Sequence, residues 1–407
     1  MIHTALPLRS PVSWNCLVFV KRCLSGWLGG RGLPTLVLAS LTLTTGSLRG
    51  ADISFRNEVQ RSLDQGLAWL QTQQNSNGWW STPDHPAVTG LALTAFSGEP
   101  TGRFKSLPPG LLKGYTFLTQ CAKPDGGIYQ RELASYNTSL AMMALLSAPS
   151  GDYDSLLKNA RNYLIGLQAD RGRVGVLDTP FDGGIGYGGI QKDPDVNNTY
   201  TALQALYHSR HLIKDQGVRG VKDLNWEAAI HFLEKCQNLP DRNPESYVSD
   251  KAQDRGGFIY HPGRSMAGGE TNAVTGKVAL RSYGSISYAG LLSYIYADLK
   301  KDDPRVVAVM NWLSSNYTLE ENPGMGPQGL YYYLHLLTKG LHAAGVDELV
   351  LKDGRRVAWR KEVAMRLMSL QQRDGSWSNT SPRWWEKDAN LVTAYSVLAL
   401  ETIWRGL

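Results

Sequence analysis

The residues with the clearest chemical possibilities lie between Asp193 and Thr199, in the run D-P-D-V-N-N-T. Asp193 and Asp195 can take or give a proton, whereas Asn197 and Asn198 can only hydrogen-bond. Asp193 precedes a proline and is expected in extended backbone. Asn197-Asn198-Thr199 has the composition of a helix N-terminus. Two residues of helix separate side chains by roughly 200°, so Asp195 is expected to aim away from whatever Asn197 faces.

Asp84 and Asp388, each five residues before a Thr, form a second candidate pair of acids. Their simpler role is to complement the positive end of a helix. Tyr288, Tyr331, Tyr332, Tyr333 and Tyr395 fall on apolar segments. Aromatic faces there can hold an isoprenoid chain, stabilise a carbocation or stack on a sugar ring.

No metal site and no cofactor are expected. Cys121 and Cys236 are the two cysteines after Gly50, and neither belongs to a CxxC or His-x-x-x-His spacing. They stand at equivalent places, four residues after Phe117 and Phe232, on spokes too far apart to pair. Gly184, Gly186 and Gly189 match G-x-G-x-x-G, but no strand precedes them as a dinucleotide site requires.

The elements that must position these residues are repeats. Trp69-Leu70, Gln74, Gly78 and Trp80 define a pattern of aromatic, aliphatic, Gln, Gly and Trp. Weaker copies follow at Phe117-Leu118 with Gly126, Tyr163-Leu164 with Gln168 and Gly172, and Phe232-Leu233 with Gln237. Two more lie at Trp312-Leu313 with Tyr317, and Arg366-Leu367 with Gln371, Gly375 and Trp377. Each copy reads as the end of an amphipathic helix: Val59, Leu63, Leu67 and Leu70 make one apolar stripe. Glycine is expected to stop each helix.

A nearly all-apolar segment follows each copy, beginning at Ala87, Thr138, Thr199, Ser287, Gly329 and Thr393. Such segments are buried on both faces, and Thr or Ser at their start suits an N-cap. Six pairs of one amphipathic and one apolar helix predict an all-α fold, a closed α/α toroid with six outer and six inner helices. Residues 51–407 form it as one domain, and 1–50 read as an export leader: five bases, no acid, and an apolar run from Leu33 to Thr45. All 36 acids follow Gly50, so the toroid is close to neutral and offers no nucleic-acid face.

Two connections are long, Ala169 to Asn198 and Asn238 to Ile286, and both carry a Gly-Gly-apolar-x-Tyr turn, ending at Tyr187 and Tyr260. Repeat two has the shorter Gly126-Gly127-Ile128-Tyr129. All belong to one rim, where six inner-helix N-termini would favour a diphosphate or carboxylate.

The repeat resembles the QW motif of squalene and oxidosqualene cyclases, whose toroid is shared by protein prenyltransferase β-subunits. The resemblance implies that Asp195, Asn197 and Asn198 stand in the D-x-D-D acid motif, with Asn197 in place of the acid that protonates the alkene. An amide cannot deliver that proton, and general acid catalysis is commonly worth ~10²–10⁴-fold. The prenyltransferase zinc set of Asp, Cys and His is not matched. The expectation is therefore a toroid that binds an isoprenoid or other apolar molecule rather than cyclising it, with a membrane-surface or protein partner left open. Two alternatives stand: a terpenoid cyclase or prenyltransferase-type enzyme using other rim acids, and a carbohydrate-active toroid. A dry aromatic cavity favours the isoprenoid readings; several carboxylates among the aromatics favour the last.

Overall fold

The computed structural model describes residues 42–149, 151–189, 193–214 and 223–407. The leader expected for residues 1–50 falls, as far as residue 41, outside them. Gly50–Leu407 is one compact unit.

Its helices alternate in role. The outer ones are α1 (Thr42–Gln73), α3 (Pro109–Gln120), α5 (Asp154–Gly166), α8 (Trp226–Cys236), α10 (Pro304–Ser315) and α12 (Trp359–Leu370). The inner ones are α2 (Pro86–Ser97), α4 (Ala134–Leu146), α6 (Val196–His208), α9 (Gly284–Tyr296), α11 (Leu330–Ala343) and α13 (Ala389–Trp404). A single turn, α7 (His211–Lys214), follows α6. Two short hairpins and a 3-10 turn complete the described chain: β1 (Gly269–Thr271) with β2 (Val278–Leu280) before α9, β3 (Leu349–Val350) with β4 (Arg356–Val357) before α12, and the turn Arg383–Trp385 before α13.

Each inner helix packs on the next, α2 on α4, α4 on α6, α6 on α9, α9 on α11 and α11 on α13. α13 then packs on α2, and the ring is closed. Sequence decides which helices go inside. In α9 every residue but Ile295 is buried, Gly and Ser included, because outer helices cover one side and neighbours the others. In α3 only Leu111, Gly114, Tyr115, Phe117 and Leu118 are buried, one stripe of an otherwise wet helix.

The repeat residues hold this ring together in a way their spacing did not reveal. The glutamine staples neighbouring spokes. Gln74 Nε2 donates to Gly78 O at 2.9 Å and to Gly110 O at the start of α3 at 2.7 Å. Gln237 does the same to Gly256 O and Arg305 O, and Gln371 to Gly375 O and Ser62 O. In repeat five, Tyr317 takes over the reach to the next outer helix, donating to Glu362 of α12 at 3.1 Å.

Glycine is not the helix stop that its position suggests. α1 ends at Gln73, and Gly78, with φ +102°, instead lies against the next outer helix, where a Cβ would sit 2.4 Å from Lys113 O. By the same test Gly183, not Gly172, is the glycine of repeat three: its Cβ would meet Ala228 O, and Gln168 donates to its carbonyl. The loop insertion falls between Gln168 and Gly183.

Nor are the threonines N-caps. Thr89, Thr138, Thr199, Ser287 and Thr393 lie inside their helices, and their hydroxyls accept the backbone N–H of Trp80, Ile128, Ile185, Phe258 and Trp377 at 2.9–3.1 Å. Each pins its connection to its own inner helix. Cys121 and Cys236 are free and buried, and no helix of the described residues is long and apolar enough to cross a membrane.

Candidate functional site

Parallel inner helices put their first turns at one rim, and there the ring encloses a cavity of about 280 Å³. Six tyrosines line it: Tyr136, Tyr187, Tyr260, Tyr283, Tyr332 and Tyr395. Trp384 and Trp385 stand at its mouth, and His85, Asn197 and the apolar Val88, Leu133, Ile286 and Leu391 complete most of the wall. No carboxylate is among the described residues that line it.

The tyrosines come from two sources. Tyr136 and Tyr332 sit in the first turns of α4 and α11, Tyr395 in the second turn of α13, and Tyr283 is the N-cap residue of α9. Tyr187 and Tyr260 end the two Gly-Gly turns. In those turns Ile185 and Phe258 bridge back to Gln168 and Gln237, and the tyrosine two residues on reaches the cavity. Tyr129 is only one residue beyond its bridging Ile128, so the alternation of an extended chain sends it the other way, onto Tyr163 at 5.8 Å.

The cavity has a polar floor. Tyr136 and Tyr395 share a hydrogen bond of 2.9 Å between hydroxyls, and the Tyr332 hydroxyl donates to Asn197 Oδ1. The rings of Tyr332 and Tyr395 lie 5.4 Å apart, so the two pairs form one surface drawn from α4, α6, α11 and α13. At the mouth, Trp384 and Trp385 both have positive φ, 54° and 65°, a strained conformation for bulky residues. Trp385 meets His85 edge-on at 4.5 Å, and Trp384 packs over Gly329, where a Cβ would touch it at 2.9 Å.

Asp195 lies behind this wall. It caps α6, accepting the backbone N–H of Asn198 at 2.9 Å, and its other oxygen takes the Asn198 side-chain amide at 2.6 Å. The Tyr260 hydroxyl lies beside this carboxyl and favours its charged form, and Tyr187 lies beside Tyr260 and Asn198. Burial pushes the Asp195 carboxyl up to about 6, although these hydrogen bonds favour its charged form. Tyr187 and Tyr260 join it to the cavity.

Of the residues singled out from sequence, Asn197, Tyr332 and Tyr395 line the cavity, and Asp195 and Asn198 stand one layer behind. Asp195 does turn away from the direction of Asn197. Tyr288 and Tyr333 are placed elsewhere: buried together at 5.8 Å between helices, with Tyr333 donating to Thr318 O. Tyr331, beside the cavity-lining Tyr332, turns into the core. Consecutive helical residues point about 100° apart, so only one of the three tyrosines from 331 to 333 can face the axis.

Asp84 and Asp388 are not a matched pair. Asp388 caps α13 and hydrogen-bonds Ser81, whereas Asp84 lies outside α2 and pairs with Arg131 at 3.3 Å. Asp193 is exposed and held by Arg171 at 2.6 Å. The rim is also less open to anions than six helix ends suggest, because Asp195, Glu386 and Asp388 already occupy the N-termini of α6, α11 and α13. Among the described residues no cluster of His, Cys, Asp and Glu could hold a metal ion.

No family model matches the chain, and no curated protein matches it. Solved structures do. The type II terpene cyclase MstE from Scytonema, in complex with its product merosterolic acid A, is similar with a TM-score of 0.52 and 13% identity, over 87% of this chain and 99% of that one. A polysaccharide lyase gives 0.52 and 13% over 86% and 98%, and the GH76 alpha-mannanase from Bacteroides thetaiotaomicron gives 0.51 and 10% over 85% and 96%. At these identities the likeness is one of fold: a helical toroid found in both terpenoid and carbohydrate chemistry.

Proposed function

We propose that the cavity binds an apolar, isoprenoid-type molecule, and that the chain acts on it by acid–base chemistry with Asp195, rather than Asn197, as the source of the proton. The observation that carries the reading is a carboxyl raised to about 6 behind a wall of tyrosines, beside one that faces the ligand space.

Asp195 would give its proton to Tyr260 as Tyr260 gives its own hydroxyl proton to the ligand. A phenol relaying a carboxyl of about 6 is a modest acid. It suits a ligand oxygen, an epoxide or allylic ether, which accepts a hydrogen bond before the proton moves; a bare alkene offers no such acceptor. Six tyrosine rings around the ligand would then stabilise positive charge developing on carbon.

The carbohydrate reading draws on one feature, the exposed Trp384 and Trp385 at the mouth, whose faces could stack on sugar rings. Against it stands the wall itself, since glycoside hydrolysis uses two carboxyl groups flanking the bond, and none lines this cavity.

The test is incubation of the protein with a polyprenyl epoxide and with the parent alkene, read by mass spectrometry. Conversion of the epoxide above background, lost in Asp195→Asn and in Tyr260→Phe, supports the reading. Binding without conversion leaves a non-catalytic binder, and failure of both ligands to bind refutes the whole proposal.

A further inference from the structure

Beneath the tyrosine floor the ring's interior does not become apolar again. Lys339 of α11 points inward there and donates from Nζ to the Tyr200 hydroxyl of α6 at 2.9 Å. An ammonium has three protons to donate, and Tyr200 is its one recorded acceptor among the described residues. Lys339 is half-buried, and desolvation with no carboxylate beside it drives the amine down to about 7.

His335 stands one turn earlier on the same helix, 8% exposed. Its Nδ1 has no hydrogen-bond partner among the described residues. The imidazole stacks on Tyr395, a floor tyrosine, with centroids 5.3 Å apart. The amine and the unpaired ring nitrogen therefore stand one turn apart on α11, next to the floor tyrosine Tyr395.

We infer that Lys339 and His335 form an inner subsite that takes the oxyanion head, a carboxylate or a phosphate, of a ligand whose apolar body fills the tyrosine-lined cavity. The inference rests on the ligand reading proposed above. A half-buried ammonium with protons to spare is completed by an acceptor of opposite charge. An oxyanion would supply the missing acceptor for Lys339 and accept an N–H from His335 in the matching tautomer. The floor in between is closed by side chains alone, the pairs Tyr136 with Tyr395 and Tyr332 with Asn197, so rotamer changes open it without moving a helix. The opposite orientation is disfavoured, because three of the six helix ends at the mouth, those of α6, α11 and α13, already hold the carboxylates Asp195, Glu386 and Asp388.

The experiment compares three ligands of one isoprenoid chain length, the acid, the monophosphate and the alcohol, by calorimetry on the full chain. Acid and phosphate should bind about tenfold or more tighter than the alcohol, the scale of one charge-assisted contact. Lys339→Met should abolish that preference, bringing acid and phosphate to the same affinity as the alcohol, and Lys339→Arg should restore much of it. A second readout is acylation of Lys339 at neutral pH, mapped by peptide mass: the acid should protect it and the alcohol should not. Equal affinities in the unaltered protein, or a preference that survives Lys339→Met, overturn the subsite while leaving the ligand reading intact. If all three fail to bind, the ligand reading falls, and the subsite with it.

Discussion

Gln371 Nε2, in the last repeat, donates to the carbonyl of Ser62 in the first at 3.0 Å, and its Oε1 accepts the Ser62 hydroxyl at 2.7 Å. The pair closes the ring across 309 residues of sequence. Every staple of this kind satisfies backbone carbonyls on two spokes at once, so its loss strands acceptors as well as removing a bond. Replacing Gln371 or Gln237 by Ala should cost about 1–3 kcal/mol each. Gln237, which is buried and also accepts the Tyr294 hydroxyl at 3.0 Å, should cost the more. Urea unfolding midpoints would show it, and equal, negligible shifts would mean that the staples are incidental.

Trp80 and Trp377 are fully buried and away from the cavity. Their indole N–H groups donate to Leu70 O and Leu367 O at 2.7 and 2.8 Å, and their rings pack against Gly114 of α3 and Gly66 of α1. Either substitution by Ala should destabilise by roughly 3–5 kcal/mol. A glycine on the facing helix is what lets the ring in: at Gly66 a Cβ would lie 2.9 Å from the Trp377 ring. Gly66→Ala should therefore lower the melting temperature even though Ala is the better helix former.

The helical periodicity and the recurrence of the Gln, Gly and Trp positions carried the architecture, because each repeat must bury the same surfaces. The site was less legible. Asn197 and Tyr332, which open helices, and Tyr395, in the second turn of one, were legible because the inner faces of those helices are predictable. Trp384 and Trp385 were not, because they reach the cavity through positive-φ backbone, which no propensity favours. Tyr187 and Tyr260 carried a signal, the shared Gly-Gly turn, but which way a turn aims its last residue depends on a bridge made to a distant glutamine. Lys339 gave no signal. Among apolar residues near a helix end it reads as an ordinary solvated lysine.

Glu401 of α13 predicts a pH dependence of stability. It is buried beside Glu99, its Oε1 has no hydrogen-bond partner among the described residues, and Arg405 approaches only to 3.6 Å. Burial, reinforced by the Glu99 charge, raises its carboxyl from 4.5 to about 8. The folded state thus holds a proton that the unfolded chain has released across that interval. Stability should fall as pH rises from about 4.5 to 8, by up to about 1.4 kcal/mol per unit from this group. Glu401→Gln should flatten that slope in melts taken between the two limits; an unchanged slope would place the titration elsewhere.

The sharpest prediction concerns Asn197, which faces the cavity while the nearest carboxyl of its motif, Asp195, stands behind the wall. Its Oδ1 already accepts the Tyr332 hydroxyl, so the position is built to receive a donor and would accommodate a carboxylate of the same shape. Asn197→Asp should place an acid in direct reach of the ligand, inside a space that disfavours its charged form. With the Asp195 proton relayed only through Tyr260, the unaltered protein should leave a bare polyprenyl alkene untouched. The variant should protonate it, giving cyclised products by mass spectrometry that disappear in the double change Asn197→Asp, Asp195→Asn, if the two acids must share protons. Conversion of the alkene by the unaltered chain would show that Asn197 is no barrier. A folded variant that binds the alkene without converting it would show that a missing carboxyl is not what separates this cavity from alkene protonation.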